Sequence, residues 1–194
     1  MKIQIFGLPR SGTTSLYEAL RDNINYAFGI FEPINPLSSY KVITHEKAQK
    51  HLSIINECKV NIIEKNVITE FNDVLNFNFY TNYLKNFDKI IFLSRKNIED
   101  HAKSVKIATV TDTWFDPYKD VDIEYDDYIP NIILQNQFLE KLSNHFKLPI
   151  FYYEDLYSND AKYINPLLKF INIKIDRPDQ FLHKIDNKHR LRQF

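Results

Sequence analysis

Residues 3–16 read Ile-Gln-Ile-Phe-Gly-Leu-Pro-Arg-Ser-Gly-Thr-Thr-Ser-Leu. An apolar run passes into a tight polar loop and then into the first turn of an amphipathic helix. Two of the chain's three glycines lie in that loop. No other stretch restricts the fold as strongly. A strand that ends in such a loop and enters a helix aims loop N–H groups and the positive end of the helix dipole at one point, which makes an anion site. Taken alone, the same order of residues also suits an ordinary strand–loop–helix turn with no ligand.

Gly7 and Gly12 have the spacing of the nucleoside-triphosphate loop G-x-x-x-x-G-K-[ST], and Thr14 fills its hydroxyl position. Thr13 stands where that loop carries the lysine that reaches the β- and γ-phosphates. The loop can cradle a phosphate but lacks the cation for a triphosphate, which points to a nucleotide with a shorter 5′ chain. Pro9-Arg10-Ser11-Gly12-Thr13-Thr14 resembles the 5′-phosphosulfate loop of the sulfotransferases, which use 3′-phosphoadenosine 5′-phosphosulfate (PAPS). Phe31-Glu32-Pro33 is similar to a string of the carbohydrate sulfotransferases, and Tyr153-Glu154-Asp155-Leu156 to one that follows a late core strand in the family. These pieces occur in the family's order, and the echoes are closest to its carbohydrate and bacterial-type branches.

The chain has 194 residues, a length that suggests one domain over 1–194. Lys plus Arg and Asp plus Glu both number 25, so the net charge is zero. That balance argues against a nucleic-acid or membrane-surface binder, which would carry a basic excess. Cys58 is the only cysteine, which excludes a disulfide framework and a cysteine metal site. No apolar run reaches the length of a membrane span, and no leader is visible before the first strand, so the expected location is the cytoplasm. The six histidines include no His-Glu-x-x-His pattern and there is no Gly-x-Ser-x-Gly elbow, so neither a metal nor a serine-hydrolase site is expected.

Strand signals alternate with helical ones along the chain, the pattern of an α/β fold with a parallel sheet flanked by helices on both faces, of the P-loop type. The expected strands are 3–6, 26–31, 59–63, 88–95 and 149–156. The expected helices are 13–24, 44–57, 71–86, one beginning after Asn97, 129–146 and 160–171. Asn97 suits an N-cap with Asp100 three residues on, and Ile98, Ala102 and Val105 form the core stripe of that helix. Residues 109–128 read as irregular. Within them, Trp114 suits either a sugar-stacking surface or the core, and the acidic run 120–127 suits a solvated face. Lys65 suits a solvated strand end or a reach into an acceptor site.

The resemblance implies roles for particular residues. Loop residues Arg10, Ser11, Gly12, Thr13, Thr14 and Ser15 would bind the 5′-phosphosulfate, with Arg10 neutralising charge on the leaving phosphate. Arg95, at a strand's C-terminal end, would grip the 3′-phosphate with its planar fork, although the residue alone also suits a salt bridge. The commonest family spacing puts Lys103 beside it, whereas helical geometry puts Ser104 there, about 100° from the core stripe. Lys188 and Arg190, in a basic C-terminal stretch that lacks the family's usual Arg-Lys-Gly string, would close over the same phosphate, although the residues alone also suit a solvated tail. Glu32 would be the base for an acceptor hydroxyl on a carbohydrate or small molecule, although the residues alone also allow a surface glutamate at a turn. His45 is the alternative base. No metal is implied. Two other functions share these features: a nucleotide-dependent phosphotransferase on a P-loop fold, and a non-catalytic protein that binds PAPS or its product, 3′-phosphoadenosine 5′-phosphate (PAP).

Overall fold

The computed structural model describes residues 1–34, 45–68, 76–112, 114, 122–158, 160–176, 178 and 181–182. Among them, five strands form one parallel sheet: β1 (Lys2–Gly7), β2 (Ala27–Phe31), β3 (Asn61–Val67), β4 (Lys89–Ser94) and β5 (Ile150–Tyr152). The order across the sheet is β2-β3-β1-β4-β5. Helices α1 (Thr13–Asn23), α2 (His45–Glu57), α3 (Phe77–Leu84), α4 (Ile98–Thr111), α5 (Ile129–Phe146), α6 (Tyr153–Leu156) and α7 (Ala161–Ile171) connect and flank the strands. This is the α/β architecture that the alternating pattern predicts.

Strand side chains point alternately to the two faces, and the strands are apolar on both. Ile3, Ile5, Ile63, Ile91 and Leu93 meet Leu16 and Leu20 of α1 and Ile164 and Leu168 of α7 on one face. Phe6, Ile62, Ile90 and Phe92 meet Ile55 of α2, Phe79, Tyr80 and Tyr83 of α3, and Leu139 and Leu142 of α5 on the other. The described aromatics of α3 are therefore core residues, as expected. A smaller cluster of Ala102, Val105 and Ile132 joins α4 to α5, and the Trp114 side chain packs against it.

Two strands differ from expectation. β3 runs on through Glu64, Lys65 and Asn66 to Val67, all of them buried. Charged residues in a strand interior are costly unless paired, and here Glu64 meets His51 and Lys65 meets Glu32, both from outside the strand. β5 stops at Tyr152, because 153–156 wind into one helical turn that lays Glu154 against the start of α4.

β1 lies mid-sheet. The connection leaving it runs to β2 on one side, and the connection from β3 crosses over to β4 on the other. Crevices at the carboxyl ends of strands open at such a reversal. No helix among the described residues is long and apolar enough to cross a membrane.

Candidate functional site

The loop after β1 is held in place by packing that only glycine permits. A Cβ on Gly7 would lie 2.4 Å from the Leu93 carbonyl oxygen of β4 and 2.9 Å from the Thr13 methyl. Gly12 has φ +83°, and a Cβ there would lie 2.8 Å from the rings of both Tyr153 and Tyr157. The Tyr157 hydroxyl donates to the Gly12 carbonyl at 2.9 Å. Ser11 is fully buried, and its hydroxyl donates to the Leu8 carbonyl at 2.6 Å, so its side chain pegs the loop from inside. Thr13 is buried against Gly7, and Ser15 is half-buried in the first turn of α1. No side chain caps α1 at Gly12. Its first-turn N–H groups, which have no partner within a helix, are the donors such a loop offers an anion.

On the β4 side, α4 packs its N-terminal half against the loop. The Asn97 side chain accepts from Asp100 N–H, the cap expected from the sequence. Arg10 has φ +61°, and its Nε donates to Ser104 Oγ at 3.2 Å while Nη1 donates to the Trp114 carbonyl at 2.6 Å. Ser104 is buried and faces the loop, whereas Lys103 is half-buried. Arg10 and Ser104, which the resemblance assigns to opposite ends of a nucleotide, are thus hydrogen-bonded to each other.

Arg95 follows β4 at the same sheet edge as the loop, since Leu93 pairs with Gly7. Its guanidinium carbon lies 4.5 Å from the Tyr153 ring centroid. Nε is 3.7 Å from Glu154 Oε1, outside hydrogen-bond range, and is a buried donor with no partner among the described residues. Glu154 instead accepts from the backbone N–H of Lys96, at 2.9 Å.

His101, fully buried on α4, shares a hydrogen bond of 2.7 Å between Nε2 and the Pro9 carbonyl. The carbonyl can only accept, so Nε2 carries the proton. Burial, reinforced by the charge of Arg95, lowers the imidazole pKa to about 4 and keeps the ring neutral. No sequence motif marks His101. The available signal is that it lies one turn before Ser104 on the same helical face.

On the β2 side, Glu32 follows the edge strand with φ +48°, and its N–H donates to the Lys65 carbonyl at 2.7 Å. The Lys65 ammonium makes a short ion pair with Glu32 Oε1, donates to Thr14 Oγ1 at 2.9 Å and lies 4.1 Å from the Phe31 ring centroid. Lys65 is only 3% exposed, not solvated as the sequence suggests. Its pKa is lowered, because burial outweighs the attraction of Glu32. One buried cation thus connects the loop hydroxyl to the carboxylate. Only the backbone of His45, at the start of α2, is described, and Lys188 and Arg190 lie outside the described residues. No group of three or more His, Cys, Asp or Glu among the described residues is arranged to hold a metal.

The chain matches no protein-family model and no curated protein sequence. Among solved structures, it is similar to the crystal structure of mouse sulfotransferase SULT7A1 complexed with PAP, at a TM-score of 0.60 and 15% sequence identity. The match covers 97% of this chain and 64% of that one. Similarity at this level shows a shared fold.

Proposed function

We propose that the chain transfers a sulfuryl group from PAPS to a hydroxyl of a carbohydrate or small molecule, with the cytoplasm as its setting. The observation that carries this reading is the buried Nε of Arg95, without a hydrogen-bond partner among the described residues, at the same sheet edge as a phosphate-type loop that lacks the triphosphate lysine. A buried donor that lacks a hydrogen bond fits an anion, and the uncapped first turn of α1 fits a second one. The PAP in the mouse sulfotransferase structure supports the choice of nucleotide.

When bound, PAPS would supply an electrophilic sulfuryl group and a phosphate leaving group. The loop N–H groups, Arg10 and the hydroxyl of Thr14 would hold its 5′ end. Thr14 Oγ1 already accepts from Lys65, which leaves its own proton to donate to an anion. Arg95 and Ser104 would take the 3′-phosphate, with Lys188 and Arg190 added from the C-terminal stretch. For Arg10 and Ser104 to serve these two ends, the bond between them must open on binding. Glu32 would accept the acceptor's hydroxyl proton. Lys65 holds that carboxylate in place by an ion pair. His45 is the alternative base.

The test is calorimetry with PAP and with ATP–Mg²⁺, followed by transfer of radiolabelled sulfate to a panel of hydroxyl acceptors. PAP binding with transfer is expected. Glu32→Gln should lose turnover and keep PAP affinity. Preferential ATP–Mg²⁺ binding would replace this reading with a phosphotransferase. PAP binding without transfer would leave a non-catalytic nucleotide binder.

A further inference from the structure

Glu32 is not glycine, yet its backbone sits in the left-handed region. A side chain stays there only when its surroundings hold it. Its own N–H is tied to β3 through the Lys65 carbonyl, and the residues that follow are tied to β3 as well. Ile34 N–H donates to Asn66 Oδ1 at 3.2 Å, and both Ile34 and Asn66 are buried.

The orientation of the Asn66 amide is dictated in turn. Its Nδ2 donates to Glu64 Oε1 at 2.7 Å, so Oδ1 must face Ile34. Glu64 is fully buried, and its carboxylate also accepts from the Tyr83 hydroxyl at 2.6 Å and meets His51 Nε2 at 2.7 Å. The His51 and Tyr83 rings stack with their planes 7° apart. Three consecutive residues of β3 therefore bear on the same corner. Lys65 reaches the Glu32 carboxylate from one face of the sheet, while Glu64 and Asn66 hold the chain after Glu32 from the other.

We infer that Asn66 and Glu64 are positioning residues for Glu32: the chain His51–Glu64–Asn66–Ile34 N–H fixes the corner 32–34, so that the carboxylate stays in register with Lys65 and Thr14. This rests on Glu32 as the base. Polar groups fully buried within a sheet are costly, and a continuous chain of bonds from α2 to a strained corner accounts for their being there. The Asn66 side chain bonds Ile34 N–H and Glu64 rather than the Glu32 carboxylate. It acts through the backbone.

The test uses Asn66→Ala in the full chain, with Glu64→Gln as a same-shape variant should the first fail to fold. Hydrogen exchange at the Ile34 amide should speed up about tenfold or more, with Ile63 and Ile91 unchanged, as befits local loosening. In sulfuryl transfer, kcat should fall about tenfold to a hundredfold while PAP affinity stays within about twofold, because a carboxylate displaced by an ångström loses rate without losing nucleotide contacts. Unchanged exchange at Ile34 overturns the inference, as does a loss of PAP affinity that matches the loss of kcat. If the unaltered protein transfers no sulfate, the function proposed above fails, and the exchange experiment alone decides whether Asn66 holds the corner.

Discussion

Replacing Lys65 by Met tests whether the ammonium between Glu32 and Thr14 is a structural tie. Removing one partner of a buried ion pair costs about 3–5 kcal/mol, mostly because a charge stays behind. Two features move Lys65→Met toward the lower bound. Lys65 is itself so thoroughly desolvated that its pKa is lowered despite Glu32, so its deletion relieves a burial penalty. The Glu32 side chain is also 12% exposed, which lets water reach the orphaned carboxylate. The expected loss is about 2–3 kcal/mol at neutral pH, or about 5–10 °C in Tm for a chain of this size. Glu32→Met combined with Lys65→Met leaves no charge behind, and packed apolar side chains in place of an ion pair are often neutral. The double variant should therefore return to within about 1 kcal/mol of the original protein. Thermal melts of the four proteins of this cycle give the coupling directly. Two results would refute the reasoning: a single variant as stable as the parent, or a double variant whose loss equals the sum of the two single losses.

Arg95→Gln should weaken PAP binding about tenfold to a hundredfold, the usual worth of a hydrogen bond to a charged group. It should leave the affinity for adenosine 5′-phosphosulfate, which has no 3′-phosphate, nearly unchanged; calorimetry with both ligands compares them. Equal weakening of both would place Arg95 elsewhere on the nucleotide. His101 sets part of the acid stability. The unfolded imidazole takes up a proton near pH 6.5, whereas the folded one resists until about pH 4. The unfolded state thus binds more protons in that window, so this group's stability is complete above pH 6.5 and falls as pH drops toward 4, by about 3 kcal/mol. Denaturant melts of His101→Gln across the same window should show a shallower slope than the parent, and identical slopes would exclude His101 as the source.

The elements visible in the sequence are those fixed by local rules. The glycine-bounded loop, the Asn97 cap and the span of α5 follow from short-range spacing, and the structure reproduces each. The sequence hides interactions between residues far apart in the chain. Lys65 resembles a solvated strand end until Glu32, 33 residues away, and Thr14, 51 away, close around it. A charge is expected in solvent unless its partner is known, and nothing local to residues 64–66 names His51, Tyr83 or Glu32. The same limit hides the Arg10–Ser104 bond, made across 94 residues, and the contact of His101 with Pro9. In 149–156, apolar and aromatic composition suggests a strand throughout. The carboxylate of Glu154 instead finds the N–H groups of Lys96 and Asn97, and the chain turns to deliver it.

The strand order also explains why the site has two unlike halves. β1 ends between β3 and β4, so its loop has different neighbours on its two sides. Toward β4 stand Arg95, the neutral His101 and Ser104; the Arg95 guanidinium lies over an aromatic ring, and its Nε has no hydrogen-bond partner among the described residues. Toward β3 and β2 stand Lys65 and Glu32, a carboxylate held beside a buried ammonium. The first half suits a fixed anion and the second suits proton removal. Were β3 and β4 exchanged about β1, the carboxylate and the guanidinium would trade sides together. Were both strands on one side, Glu32 and Arg95 would compete for the same volume above the loop. The sulfuryl transfer proposed above would draw its donor from one side of the loop and its acceptor from the other, and this topology imposes the separation such a transfer needs.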